Sequence, residues 1–250
     1  MTDQPSGHWL LFGDPGAGKS TGAATFPKPM LVFMWDPRGK EQPYLKRGGA
    51  STAGVDDFGI GYQSVLSRSD PTREIIRIEH YNDADPQKPE AYKAFLTRLT
   101  RLDDDLRTYR TVVLDSVTFM ELAARKMHQY VLSPTAKEPR QWHAGSTDAL
   151  EEVLMIRFGA LACNVVVIAH IDEDKDEVHG FAIRNPAMPG RLRKRSPAGY
   201  SELYRCYAKR DAKLGATYLW QTRSDALYNC ATQVEAPDPC PQDYRAIWTP

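Results

Sequence analysis

The sequence predicts an α/β domain: a mostly parallel central sheet flanked by helices, with antiparallel strands added at the C-terminal end. Three observations predict it. Short apolar runs alternate with helix-length segments from Trp9 to Ala169. The first run passes directly into a glycine-rich loop and then a helical segment, the order of an α/β unit. From Leu203 to Thr232 the helical pattern gives way to short β-type runs joined by turns.

The elements follow in order. Trp9-Leu10-Leu11-Phe12 is an apolar run of buried-strand type, and Thr21–Thr25 a short helix closed by Pro27. Met30–Trp35 is a second buried strand ending at Asp36. Pro37–Asp70, rich in Gly, Ser and charge, reads mostly as loop with short elements. Ile75–Ile78 is a third strand. Glu90–Arg107 is amphipathic, with Tyr92, Phe95, Leu99, Leu102 and Leu106 at helical spacing. Thr111–Leu114 is a fourth strand ending at Asp115, and Val117–Val131 a helix. Ser133–Gly145 reads as a polar loop, with Asp148 as the cap of a helix to about Ala162 and Glu151 reaching back. Val165–Ala169 is a fifth strand ending at His170. Leu203–Ala208, Ala216–Thr222 and Leu227–Thr232 read as late antiparallel strands. Residues 1–235 form one domain, and 236–250, with four prolines, an extended peripheral tail.

Composition narrows the function classes. The 32 basic and 32 acidic side chains cancel, so nucleic acid would be met by a local patch rather than by a global field. No apolar run reaches membrane-spanning length, and Met1–Gly7 lacks a signal-peptide core, so a cytoplasmic protein is expected. The four cysteines have no C-x-x-C spacing and read as reduced thiols, not a zinc site.

The chemistry lies in Gly13-Asp14-Pro15-Gly16-Ala17-Gly18-Lys19-Ser20-Thr21, which fits G-x-x-x-x-G-K-[ST]. A phosphate chain carries several negative charges, and such a loop turns backbone N–H groups toward its oxygens. Gly16 and Gly18 allow that close approach, Lys19 reaches the outer phosphates, and Ser20 ligates Mg²⁺. ATP and Mg²⁺ are therefore the expected cofactors. Hydrolysis needs a carboxylate at a neighbouring strand end to help hold the metal, and Asp115, ending Val112-Val113-Leu114, is the candidate. Two strands, Met30–Trp35 and Ile75–Ile78, intervene between the loop and Asp115. That order suits ATPases that insert an extra strand between the loop strand and the acidic strand. It conflicts with a small-molecule kinase. AAA-type enzymes carry a Glu directly after that Asp; Ser116 stands there, which counts against that branch.

The strand Leu31–Asp36 resembles the RecA-like class, in which a catalytic Glu ends the strand after the loop helix. Here Asp36 takes that place, with Glu41 as the alternative water-orienting group. His170 corresponds to the γ-phosphate sensor of that class. The chain resembles phage RecA-core ATPases of the single-strand annealing and recombination type. The resemblance is carried by His170 and Asp172, Met188-Pro189-Gly190, Tyr200, Leu203, Tyr204 and Trp220-Gln221-Thr222. It implies a RecA-like P-loop NTPase core and a phage protein in a bacterial host cell. It also implies ring or filament homo-oligomers, single-stranded DNA as partner and cooperation with a single-strand binding protein. The basic cluster Arg191, Arg193, Lys194 and Arg195 suits contact with a nucleic acid backbone, with Tyr200 and Phe181 placed to stack on bases. A solvated charge run, paired with the acidic stretch Asp172–Glu177, is the plainer reading. ATP sites between subunits imply a cation supplied by a neighbour: Lys209, Arg210 and Lys213 are the candidates, with Arg205 and Arg223 also open. A nucleotide-switched assembly factor, such as a helicase loader acting on proteins, is the alternative function.

Overall fold

A computed structural model describes residues 6–102, 108–175, 182–211 and 215–247. Ten strands form one sheet: β1 (His8–Phe12), β2 (Met30–Met34), β3 (Ser51–Val55), β4 (Gly61–Leu66), β5 (Glu74–His80), β6 (Thr111–Asp115), β7 (Asn164–Ala169), β10 (Glu202–Asp211), β11 (Gly215–Gln221) and β12 (Cys240–Pro241). A separate hairpin pairs β8 (Ile171–Lys175) with β9 (Ala182–Pro186). The sheet order is β12-β11-β10-β1-β7-β6-β2-β5-β4-β3. All pairings from β10 through β5 are parallel, whereas β3, β4, β11 and β12 join antiparallel.

The predicted α/β class holds, and the topology sharpens it. The strand set between β1 and β6 in space is β7, from later in the chain, while β2 and β5 lie beyond β6. Antiparallel strands close both edges rather than the C-terminal one alone. β10, expected among the antiparallel strands, pairs in parallel with β1. The central strands are buried on both faces, and alternate side chains feed two cores. Leu10, Phe12, Leu31, Phe33, Val112 and Leu114 join the helix Ala91–Leu99 and the helix Val117–Met127 on one face. Trp9, Leu11, Met30, Val32 and Val113 pack on the other with Phe26 and Trp220.

Several local readings are corrected. Pro37–Asp70 holds β3, β4 and the short helix Gln42–Leu45. β3 is exposed on both faces, so it lacks the alternation that marks a half-buried strand. The polar stretch from residue 133 becomes helical at Pro139, and that helix runs to Glu151. Proline at a first helical position is compatible with this start, because its missing N–H is unpaired there anyway. Asp148 is therefore a helix-interior residue, not a cap. Leu227–Thr232 makes only isolated bridges at Tyr228 and Ala231. The last part of the predicted helix Glu90–Arg107 lies outside the described residues.

Residues 236–247, read as peripheral, are packed into the molecule. Ala236, Cys240, Tyr244 and Ile247 are buried in the second core, and Tyr244 lies against Phe26 and Trp9. Aromatic burial outweighs the weak local propensity of a proline-rich segment.

Candidate nucleotide-binding site

The loop after β1 turns into the helix Lys19–Ala23 through Gly16 and Gly18, with φ of 78° and 86°. Both angles lie in the left-handed region, where a side chain would be strained. The loop forms one wall of a cavity of about 580 Å³. Asp36 and Asp115 enter it from the ends of β2 and β6, and His170 from the end of β7. The parallel sheet thus delivers three polar strand ends and the loop to one crevice, the usual place for ligands in such sheets.

Lys19 is buried, and its Nζ donates to the carbonyls of Gly13 at 2.7 Å and Asp14 at 2.9 Å. Burial pulls its pKa below the ordinary lysine value, opposed by nearby groups that include Asp115 and Asp36. Asp115 is only 2% exposed. Its Oδ2 accepts from the Tyr44 hydroxyl at 2.8 Å, and the Ser20 hydroxyl lies near enough to favour its ionised form. Burial and the neighbouring Asp36 push the Asp115 carboxyl up to about 6, against the pull of those hydroxyls and of Lys19. Asp36 accepts from the Ser116 hydroxyl at 2.7 Å, and the Asp115 carbonyl accepts from Trp35 N–H at 2.6 Å. The two acidic strand ends are therefore laced together.

The donor set fits Mg²⁺. The Ser20 hydroxyl and the Asp115 carboxylate line one cavity with a second carboxylate, Asp36, and these are hard oxygen ligands of the kind this ion takes. Buried Asp115 beside half-buried Asp36, with no guanidinium hydrogen-bonded to either among the described residues, is a costly arrangement that a divalent cation would offset. Among the described residues no cluster of three or more His, Cys, Asp or Glu forms a metal cage, so phosphate oxygens and water would complete the shell.

The backbone N–H of His170 donates to the Thr118 hydroxyl oxygen at 3.2 Å, and the imidazole ring stands edge-on to Phe119. Burial, then Lys19, lowers its pKa, so the ring is neutral near pH 7. Glu41 does not line the cavity; its carboxylate accepts from Gly39 N–H at 2.7 Å and closes the turn after β2.

The basic cluster is helical rather than a loop. Leu192–Arg195 is a short helix followed by a 3₁₀ turn, anchored by buried Leu192. Arg191 pairs with Asp148 at 2.5 Å and Glu151 at 2.7 Å, Arg193 with Asp172 at 2.5 Å, and Arg195 with Glu151 at 3.4 Å. Lys194 is exposed. Tyr200 is buried, which removes it as an exposed stacking platform, and Phe181 lies outside the described residues. Lys209 and Arg210 are exposed at the far end of β10; Lys213 lies outside the described residues. Arg205 is engaged internally, over the Tyr228 ring and on Gln221. Arg223 is exposed beyond β11, away from the cavity.

Sequence reasoning missed Tyr44, Tyr218 and Phe119 at the site. Tyr44 comes from the stretch read as loop, and Tyr218, 43% exposed, from the β11 edge. No contiguous motif links either to the glycine-rich loop.

Among known families, a model of the AAA domain family matches residues 8–197. This overturns the inference from Ser116: the position after Asp115 carries a hydroxyl bonded to Asp36, so the second carboxylate arrives from β2 instead. Comparison with curated proteins returns no match. Among solved structures, the chain is similar to a prototypical ATPase from the type III secretion system of pathogenic bacteria. The identity is 14% over 84% of this chain and 53% of that one, with a TM-score of 0.46. It is also similar to the ATPase EscN of the enteropathogenic E. coli type III secretion system, at 15% identity over 80% and 42%, with a TM-score of 0.44. The chain spans about half the length of the first and about two-fifths of the second. Among the described residues no helix is long and apolar enough to cross a membrane.

Proposed function

The chain belongs to the AAA domain family of nucleotide-binding P-loop ATPases, and from that premise we propose that it is a Mg²⁺-dependent ATPase that assembles on single-stranded DNA and promotes annealing or strand exchange. The observation that carries the ATPase reading is the convergence of Lys19, Ser20, Asp36 and the buried Asp115 carboxylate on one cavity walled by the glycine-rich loop. Ser20 and Asp115 would hold the metal, which would supply charge neutralisation at the outer phosphates. Lys19 exchanges its two loop carbonyls for phosphate oxygens. Asp36, held by Ser116, orients the attacking water and accepts its proton. Neutral His170 donates a hydrogen bond to the terminal phosphate.

The DNA reading rests on the route from His170 to the basic helix. The His170 carbonyl accepts from Ala187 N–H at 2.7 Å, five residues before Leu192, so strand end and basic segment are joined by a short path. In this reading phosphates of single-stranded DNA displace Asp148, Glu151 and Asp172 from the arginines. Homo-oligomerisation brings Lys209 or Arg210 of a neighbour toward the phosphates, and a single-strand binding protein prepares the DNA. Those same ion pairs favour a second reading, a nucleotide-switched assembly factor whose main partners are proteins, because they leave little unneutralised charge in a chain of zero net charge.

Anisotropy of a labelled single-stranded oligonucleotide, titrated with ATP–Mg²⁺, with ADP and without nucleotide at two salt concentrations, separates the two. The DNA reading expects tight, salt-sensitive binding with ATP alone, abolished by joint replacement of Arg191, Arg193 and Arg195 by Ala with ATP binding intact. Absence of binding in every state selects the protein-partner reading.

A further inference from the structure

The family match stops at residue 197, yet the phosphate-binding loop is held by a residue far beyond it. Gln242 is buried, and its carboxamide Nε2 donates to the carbonyl of Ala17 at 2.9 Å and of Leu219 at 2.8 Å. Its backbone N–H donates to the Tyr218 carbonyl at 3.3 Å. One side chain thus staples the loop to β11. The segment around it is anchored independently. Cys240 pairs with Trp220 across β12 and β11, and Tyr244 N–H donates at 2.8 Å to Thr25, just past the loop helix.

The effect on the loop follows from peptide geometry. The Ala17 carbonyl and the Gly18 N–H share one rigid plane and point in opposite directions in a trans peptide. Holding the carbonyl against Gln242, which is not part of the cavity lining, turns the N–H the other way, toward an anion in the cavity that Gly18 lines. Gly18, at φ 86°, would let an unheld plane rotate at little steric cost. A second observation points the same way. The Gln242 Oε1 is buried and meets no donor among the described residues, and it lies 2.5 Å from where a Gly18 Cβ would stand. A buried acceptor without a partner is destabilising. An apolar side chain of that shape would avoid this cost but would release the Ala17 and Leu219 carbonyls, so what the amide contributes here is its hold on those two oxygens.

We propose that Cys240–Ile247 is a brace for the phosphate-binding loop, and that Gln242 is a positioning residue that sets nucleotide affinity by orienting the Ala17–Gly18 peptide. The proposal rests on the ATP-binding reading above. The test compares the full chain with Gln242→Met, which keeps the shape and lacks the donor; Gln242→Leu serves the same purpose if methionine is not accommodated. A fluorescent ATP analogue with Mg²⁺ is titrated into each, alongside the nucleotide-free melting temperature and kcat at saturating ATP. The expected result is about tenfold weaker affinity, with kcat near the wild-type value and a modest loss of melting temperature from the two released carbonyls. Thr222→Val is the contrasting variant. It weakens the tail's anchor at Ala236 and Pro237 without touching the loop, and should lower the melting temperature with affinity retained. Unchanged affinity in Gln242→Met, or losses of affinity that track melting in both variants, would overturn the brace. A wild-type chain that binds no nucleotide defeats the ATP-binding reading itself; a wild type that binds, with a variant that binds equally, defeats the brace alone.

Discussion

Glu79 on β5 and Asp115 on β6 are both buried carboxylates near the same end of the sheet, separated by β2, and their surroundings are opposite. Glu79 accepts from Arg98 Nε at 3.1 Å through both oxygens, from Arg77 Nε at 3.1 Å and from the Tyr81 hydroxyl at 2.9 Å. Its charge is answered within the chain. Asp115 has two hydroxyls and a second carboxylate instead, while Lys19 hydrogen-bonds to loop carbonyls. The first arrangement is a closed structural ion cluster; the second gathers negative charge where a cation would be favoured. Depth of burial does not separate them, since both are nearly inaccessible. What separates them is the charge of their partners.

The comparison breaks most visibly on the Glu79 side. Arg98→Ala leaves a buried carboxylate with one fewer guanidinium and should cost about 3 kcal/mol of stability. Denaturant unfolding reads that loss, and the folded fraction should still bind ATP. Lys19→Ala should do the reverse: nucleotide affinity falls about a hundredfold through lost charge-assisted bonds, while the melting temperature without nucleotide barely moves. A collapse of melting there would place Lys19 with the structural group instead. Asp115→Asn should weaken Mg²⁺-dependent hydrolysis far more than nucleotide binding. Titration calorimetry and turnover showing equal losses would remove Asp115 from the metal role.

A smaller effect sharpens the contrast through pH. The Asp115 carboxyl is raised from 3.8 to about 6 in the folded chain. Between those values the folded state holds a proton that the unfolded state has released, so stability falls as pH rises through that window. The nucleotide-free protein should therefore show an Asp115-dependent loss of melting temperature from about pH 4 to about pH 6. Asp115→Asn should flatten that component and leave the nucleotide-free protein more stable than wild type at pH 7. In the wild type, Mg²⁺-dependent nucleotide affinity should strengthen as pH passes 6, where the carboxylate becomes ionised. A melting profile unchanged by the substitution would show that Asp115 is not strained by its neighbours.

Much of the site was legible locally. The glycine-rich loop is contiguous, and Asp36, Asp115 and His170 each end an apolar run, so a parallel sheet necessarily presents them at one end. Tyr44 was hidden because its surroundings lack any hydrophobic period. The helix from Pro139 was hidden by polarity and proline, and with it the acids that pair with Arg191 and Arg195. The tail's prolines predict a peripheral segment because local composition says nothing of Tyr244 and Ile247 packing into the core.

By itself, then, the amino-acid order determined the α/β class, the phosphate-binding loop and the polar strand ends, because each depends on periodicity or on contiguous residues. Only the tertiary structure decided which strand lies between β1 and β6, which cations are already neutralised, and that a glutamine 225 residues from Ala17 braces its carbonyl. Those are contacts between distant segments, and they are set by the burial of two sheet faces rather than by any local pattern.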